Sequence, residues 1–428
     1  MYIPHIIARA CTTSTIASTS TGAPAPDPSA SSPAPAPEPT APVPPPVPAI
    51  TDFDWSVPEA WDKPNVPTGY GDLQGTVQDA INGLRDYWSD PNAVEYTWDV
   101  GTTLSALAYK DTVASTRDNY DYVKAALQHA KDHDGNFDPF AYNDDSQWWG
   151  TTAMYAHRAY GDQEFLDWAI DVWNHVAPSQ ITEDQANQGM HPLRPNPIQG
   201  QCNGKSTAGG VFWRAEQSDR TDMDVNVITT SLFETLSAYL AEATGDQKYL
   251  DAAKAAYNFI VAHMLQDSPN IPIDTLKMAD CGTNNWIFTY NAGKFIEGTA
   301  ILAKLTNDDG MKEQLFRTIN DAVKHTDNWQ NAQGHITEGR AATLRKVAPT
   351  DSIYLRALTE TYRRYYDMPS MRDLLRTYVA IQWQSITSND RNGNKYGIVW
   401  SGPYTEAAWG QANVLDALVA GLEMNWAR

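Results

Sequence analysis

Two stretches of the chain, AYGDQEFLDWAIDVW at 159–173 and ATGDQKYLDAAKAAY at 243–257, repeat one pattern closely enough to constrain the whole fold. In each, a helical run stops at a glycine, Gly161 or Gly245, where a positive φ costs nothing. An aspartate, Asp162 or Asp246, then stands where it can cap the next helix. KLTNDDGMKEQLFRTI at 304–319 and YYDMPSMRDLLRTYV at 365–379 are looser versions, with Asn307 and Asp367 near the turn. A helix, tight turn and helix recurring every roughly 60–80 residues means antiparallel helix pairs stacked side by side.

The rest of the globular part has the same texture. TVQDAINGLRDYW, VGTTLSALAYKDTVAST, NYDYVKAALQHAKDH and SQWWGTTAMYAHRAY place apolar residues at i, i+3, i+4 and i+7. The pattern predicts helices near 76–88, 99–115, 118–132, 145–160, 163–176, 223–243, 247–265, 290–306, 309–326, 351–366, 369–387 and 404–424. Twelve helices make six pairs, and six pairs with short turns on one side describe a closed all-α (α/α)6 toroid. The long loops 133–144, 177–222, 266–289, 327–350 and 388–403 then crowd onto one rim, where function tends to sit.

Residues 51–428 form this expected domain. Residues 1–50 read as a separate Pro/Ala/Ser/Thr-rich, disordered linker, unable to bury apolar surface. Within it, little more than MYIPHIIARA precedes the Ser/Thr/Ala/Pro stretch at 12–50, and that decapeptide is a poor secretion signal, which points to a shortened N-terminus. No apolar run is long enough to span a bilayer. The formal charge of −21 disfavours nucleic acid and anionic membranes, since repulsion is the first force such partners meet. Of three cysteines, Cys202 and Cys281 lie in polar loops of the globular part and are expected to pair in an oxidising, extracellular compartment. No metal-ligand spacing and no cofactor motif is present, so neither is expected.

The chemistry concentrates in YNDDSQWWG at 142–150. Asp144 and Asp145 sit at a helix start, where a single aspartate would be explained by capping and the helix dipole. A second adds repulsion for little further gain. Trp148 and Trp149 follow at i+3 and i+4 of Asp145, so the carboxylates meet an aromatic wall. An apolar wall and a neighbouring like charge both raise a carboxyl pKa, the arrangement that separates an acid from a base. Glycoside hydrolysis needs such a pair, and a retaining enzyme holds its two carboxyls only about 5–5.5 Å apart. Spacing alone leaves a catalytic dyad and a double cap both open.

DDSQWWGTTAMYAHRAYGD, GGVFWR at 209–214, NVITTSLFETLSAYLAEATGD at 226–246, WIFTYNAGKFIEGTAIL at 286–302 and WSGPYTEAAWGQANVLDAL at 400–418 together resemble glycoside hydrolase family 76. The resemblance covers most of 75–428. It implies an (α/α)6 barrel and a retaining double displacement, with Asp144 as nucleophile and Asp145 as acid/base. The substrate class it implies is α-1,6-linked mannan, cut by an endo-1,6-α-mannanase or transferred by a cell-wall transglycosidase. Two positions depart from the family's pattern: Ser146 replaces an acidic residue, and Thr230 stands where a second asparagine would follow Asn226.

Around the pair, Tyr142, Asn143, Trp148, Trp149, Trp213, Asn226, Trp286, Tyr290, Asn291 and Trp400 are the expected sugar-contacting residues. Trp213 follows the Gly209–Gly210 step, and Trp286, Tyr290 and Asn291 lie where a loop enters a helix. Asn291 is equally suited to capping, and Trp400 to a core position. Asp222, Asp224 and Asp351 are read as caps. The expected protein is a secreted or cell-wall-associated monomer acting on mannose-containing glycans. The ending GLEMNWAR lacks the apolar tail of a lipid-anchor signal, which favours hydrolysis over a cell-bound transferase. A glycan-binding toroid without catalysis would tolerate loss of one aspartate, yet both are present.

Overall fold

The structure, a computed structural model, describes residues 53–216, 218–325, 329–337 and 350–425. The linker expected at 1–50 lies outside the described residues. Thirteen α-helices are present among those described: α1 (Tyr70–Tyr87), α2 (Trp98–Ala114), α3 (Tyr120–His133), α4 (Asn143–Tyr160), α5 (Gln163–Val176), α6 (Glu183–Gln188), α7 (Val227–Thr244), α8 (Gln247–His263), α9 (Thr289–Thr306), α10 (Asp309–Lys324), α11 (Thr350–Arg364), α12 (Pro369–Asn389) and α13 (Ala408–Asn425). All twelve helices expected from periodicity appear. The thirteenth, α6, is a single short segment inside the 177–222 loop, closed by a Thr182–Gln185 capping box.

The helices form two concentric rings. The inner ring runs α2, α4, α7, α9, α11, α13 and back to α2. The outer helices α3, α5, α8, α10 and α12 return antiparallel, and α1 packs on α13 to close the circle with the two ends of the domain. The rings differ in sequence for a physical reason. Inner helices are enclosed all round: every residue of α7 from Val227 to Ala241 is buried, and small Ser, Thr and Ala let neighbours approach. Outer helices carry one apolar stripe, as in α5 with Phe165, Leu166, Ala169, Val172 and Val176.

The repeated turns behave as their residues dictate. Gly161 and Gly245 close α4 and α7 at φ 81° and 70°, and Asn307 closes α9 at φ 50°. Asp246 caps α8 through Lys248 N–H at 3.0 Å. Asp162 makes no such cap and instead accepts the Tyr120 hydroxyl at 2.6 Å. Because each inner helix is followed by an outer one, all inner helices run the same way and their N-termini share one rim. The five long loops are joined there by a sixth connection, 88–97, between α1 and α2.

Short strands stiffen the rim. β1 (Gln201–Cys202) pairs with β2 (Lys205–Ser206), β3 (Asp224–Asn226) with β4 (Thr275–Lys277), β4 with β5 (Thr283–Asn284), and β6 (Arg391–Asn392) with β7 (Lys395–Tyr396). Cys202 and Cys281 form the expected disulfide, with Cα atoms 5.7 Å apart, tying the β1 hairpin to the β4–β5 turn.

The axis of the ring is filled by charged and phenolic side chains. Lys294 and Glu297 on α9 pair at 2.8 Å, and Glu297 also accepts the hydroxyls of Tyr155 on α4 and Tyr239 on α7. Arg158 on α4 reaches Glu360 on α11, directly across the ring, at 2.8 Å. Arg356 lies over the Tyr155 ring at 4.9 Å and bonds Thr102 on α2 at 2.6 Å.

Candidate active site

Asp144 and Asp145 occupy the first turn of α4, but neither is its cap. That position belongs to Tyr142, which makes no side-chain cap bond. The double-cap reading therefore fails. The chain enters α4 through a tightly wound loop with positive φ at Phe137 and Ala141. Asp138 anchors this loop, accepting the Tyr142 N–H at 2.9 Å and the His175 ring nitrogen at 2.9 Å. A strap at 211–215 then clamps the start of the helix. Asn143 donates its backbone N–H to Trp213 O at 2.9 Å and its amide to Phe212 O at 2.8 Å, while Ala215 N–H reaches Ala141 O at 3.1 Å.

The strap delivers a donor to one carboxylate only. Trp213 Nε1 donates to Asp144 Oδ2 at 3.1 Å, and Asp144 Oδ1 accepts the Asp145 N–H at 3.1 Å. Asp144 is 8 % exposed. Asp145 is half-buried, and its carboxylate has no hydrogen-bond partner among the described residues. Burial pushes both groups above the usual carboxylate range. The donors oppose that rise at Asp144, whereas repulsion from Asp144, Asp138 and Asp99 adds to it at Asp145. The two neighbours thus differ in their surroundings: Asp144 has two fixed donors and Asp145 has none.

Of the other expected residues, the structure gathers some and withdraws others. Trp148 is buried within the inner ring, stacked on Trp98 at 5.5 Å, with Lys294 Nζ 5.3 Å from its ring. Tyr142 lies 4.9 Å from Trp213, and the Arg214 guanidinium covers both rings at 4.0 and 4.9 Å. Trp286, 58 % exposed, leads through Phe288 to Tyr290 in a series of ring contacts at 6.2 and 5.6 Å.

Trp149 and Trp400 are core residues, not sugar platforms. Trp149 is wedged between Phe137 and Gly101, and Trp400 is buried while its carbonyl receives the Ser385 hydroxyl. Asn143 is committed to the strap. Asn226 spends its side-chain oxygen capping α7 through Thr229 N–H at 3.2 Å, which displaces Asp222 and Asp224 from that expected role. The strand pairing of 224–226 is why α7 starts later than its periodicity suggests. Asp222 instead faces Arg214 at 3.5 Å, and Asp224 lies in β3. Asn291 is buried and holds Asp274 at 3.2 Å. Asp351 is the second residue of α11, across the ring from α4, and so does not occupy the cap position expected of it.

Sequence reading missed Asp99, buried in the first turn of α2, whose carboxyl is pushed up to about 6 by burial. It also missed Asp138, Asp274 and the stacked Arg214. Asp99 had a signal, since Trp98–Asp99 opens an inner helix much as Asp144 and Asp145 do with Trp148. The others sit in loops, and only tertiary contacts bring them in.

A closed double ring of helices with one buried and one half-buried carboxylate at its mouth defines a glycosidase-type helical barrel. The chain belongs to glycosyl hydrolase family 76, whose model matches residues 196–425. That match begins beyond α4 and does not include the pair itself. Among curated proteins, the chain is 22 % identical over 242 residues to a putative mannan endo-1,6-alpha-mannosidase of Schizosaccharomyces pombe, covering 54 % of this chain and 50 % of the relative. It is 23 % identical over 272 residues to mannan endo-1,6-alpha-mannosidase DCW1 of Candida glabrata, covering 59 % and 57 %. The chain thus spans about half the length of the curated relatives it matches.

Solved structures extend the likeness of fold. The GH76A alpha-1,6-mannanase of Salegentibacter sp. HEL1_6 aligns with a TM-score of 0.65 at 15 % identity, over 82 % of this chain and 99 % of that one. Dfg5 of Chaetomium thermophilum, solved in complex with glucosamine, aligns at 0.64 and 17 % identity, over 84 % and 91 %.

Proposed function

We propose that this protein is a retaining glycoside hydrolase that cuts α-1,6-mannosidic linkages within mannan chains, with Asp144 as nucleophile and Asp145 as acid/base. The observation that carries the roles is the unequal hydrogen bonding of the pair. Asp144 has two fixed donors that favour its anion, and Asp145 has none and is driven to hold a proton.

In the first step the Asp144 carboxylate attacks the anomeric carbon while Asp145 gives its proton to the departing glycosidic oxygen. The C–O bond breaks and a β-linked glycosyl ester on Asp144 forms. In the second, Asp145 takes a proton from water, whose oxygen attacks the same carbon and frees Asp144. Two inversions restore the α configuration. The names of the curated relatives support the linkage, and the family supports the reaction class. The disulfide suits an extracellular setting.

Incubation with α-1,6-mannan should release short oligosaccharides, and NMR in the first minutes should show the α anomer. Early accumulation of the β anomer would overturn the mechanism, and absence of any cleavage would overturn the function.

A second reading shares the first step and hands the sugar to another glycan instead of water. The exposed Trp286, continued by Phe288 and Tyr290 toward the mouth, is a platform on which an acceptor sugar could stack. Longer products at high oligosaccharide concentration would mark that outcome.

A further inference from the structure

The sixth rim connection, 88–97, borders a cleft of about 570 Å³ lined by Asn92, Val94, Glu95, Tyr96, His129 and Phe140. It was not among the loops expected to carry function. Its volume lies in the roughly 300–1,000 Å³ range of small-ligand sites. Phe140 is 49 % exposed, so its ring is available from the cleft. The Tyr96 ring stacks on His133 at 3.6 Å and its hydroxyl meets His129 at 3.0 Å, so the cleft wall is fixed.

The cleft lies beside the candidate active site on the same rim, since Thr97 on its wall is the N-cap of α2 and stands two residues before Asp99, whose charge bears on Asp145. On one side, Tyr96 and Thr97 run directly into Trp98, which stacks on Trp148. On the other, Phe140 stands two residues before Tyr142, the N-cap of α4. Both walls thus belong to segments that lead directly into α2 and α4, the helices that carry Asp99 and the pair. The wall offers an aromatic face for the C–H side of a pyranose, with the Asn92 amide and Glu95 carboxylate exposed nearby as hydrogen-bonding groups. Glu95 and the buried Asp99 below it disfavour anions there.

We propose that this cleft is a distal subsite for neutral hexose units of a polymeric substrate, with Phe140 as its stacking platform. It makes the protein selective for long glycans over short ones. The proposal rests on the mannan reading above, and its test separates the two.

In an Asp145→Asn background, which prevents turnover, calorimetry would measure affinity for linear α-1,6-mannotriose and α-1,6-mannohexaose, with and without Phe140→Ala. The substitution should weaken the hexaose by about tenfold, or 1.4 kcal/mol, and leave the triose unchanged, while Phe140→Tyr restores the hexaose. Phe140 is exposed enough that folding should not suffer, and an unchanged melting curve would confirm this. Equal affinity of the hexaose with and without Phe140→Ala would overturn the subsite while leaving the pair's assignment intact. If neither oligosaccharide binds the parent protein, the mannan reading fails and the subsite falls with it.

Discussion

Replacing Trp213 by phenylalanine removes the indole N–H and reduces the fused bicycle to a single phenyl ring. An aromatic face remains beside Tyr142 and Arg214, while Asp144 Oδ2 loses its donor at 3.1 Å. A hydrogen bond to a charged group contributes about 1.5–3 kcal/mol. Part of that stabilises the Asp144 anion against burial, so its loss should raise the Asp144 pKa by about 1–2 units. The group is already above its ordinary value, and the shift goes further the same way. The acid limb of kcat/KM, which reports ionisation of the nucleophile in the free enzyme, should move to higher pH by that amount. Below the limb, kcat/KM should fall by about 10- to 100-fold. KM for α-1,6-mannan should change little. The assay is a pH series of initial rates by reducing-end release. If KM rises while kcat and the acid limb stay where they were, Trp213 is a sugar platform and its bond to Asp144 has no role in catalysis.

Three further outcomes follow from the same structure. Asp144→Asn and Asp145→Asn should each abolish turnover yet raise the melting temperature at pH 8. Both carboxyls have folded pKa values above the unfolded ones, so the stability they contribute is present at low pH and lost as pH rises through the folded values; a drop in melting temperature at pH 8 would contradict this. Reducing the Cys202–Cys281 bridge should cost about 2–4 kcal/mol in denaturant unfolding, and free thiols found by intact mass in secreted protein would show that the bridge does not form. Lys294→Met should destabilise by about 3–5 kcal/mol because Glu297 loses a buried partner, and a variant that unfolds at the wild-type denaturant midpoint would show that Arg356 suffices to neutralise Glu297.

The toroid was legible because its information is local and periodic. Helix stripes, Gly161, Gly245 and the aspartates after them lie within one or two turns of the residues they organise. What sequence could not show is where an aromatic ends up once two rings of helices close. Trp148 and Trp149 are adjacent and both buried, yet α-helical rotation turns one against Trp98 inside the inner ring and the other against Gly101 and Phe137. Asp144 and Asp145 were recognisable as a pair, but their difference comes from Trp213, about seventy residues away. The displacement of Asp222 and Asp224 from capping has the same origin, since the pairing of β3 with β4 is invisible to local propensity.

The side chains that fill the ring's centre make the domain a cup and not a pipe. Bonds such as Arg158 to Glu360 cross from one wall to the opposite one, so no strand of polysaccharide could be drawn through the middle. Whatever enters at the N-terminal rim must also leave there. On the mannan reading proposed above, a polymer would be laid across the opening, gripped at one stretch, cut, and lifted away at both ends. Cleavage should therefore start at interior positions chosen by collision, with average chain length collapsing early and the smallest fragments accumulating last.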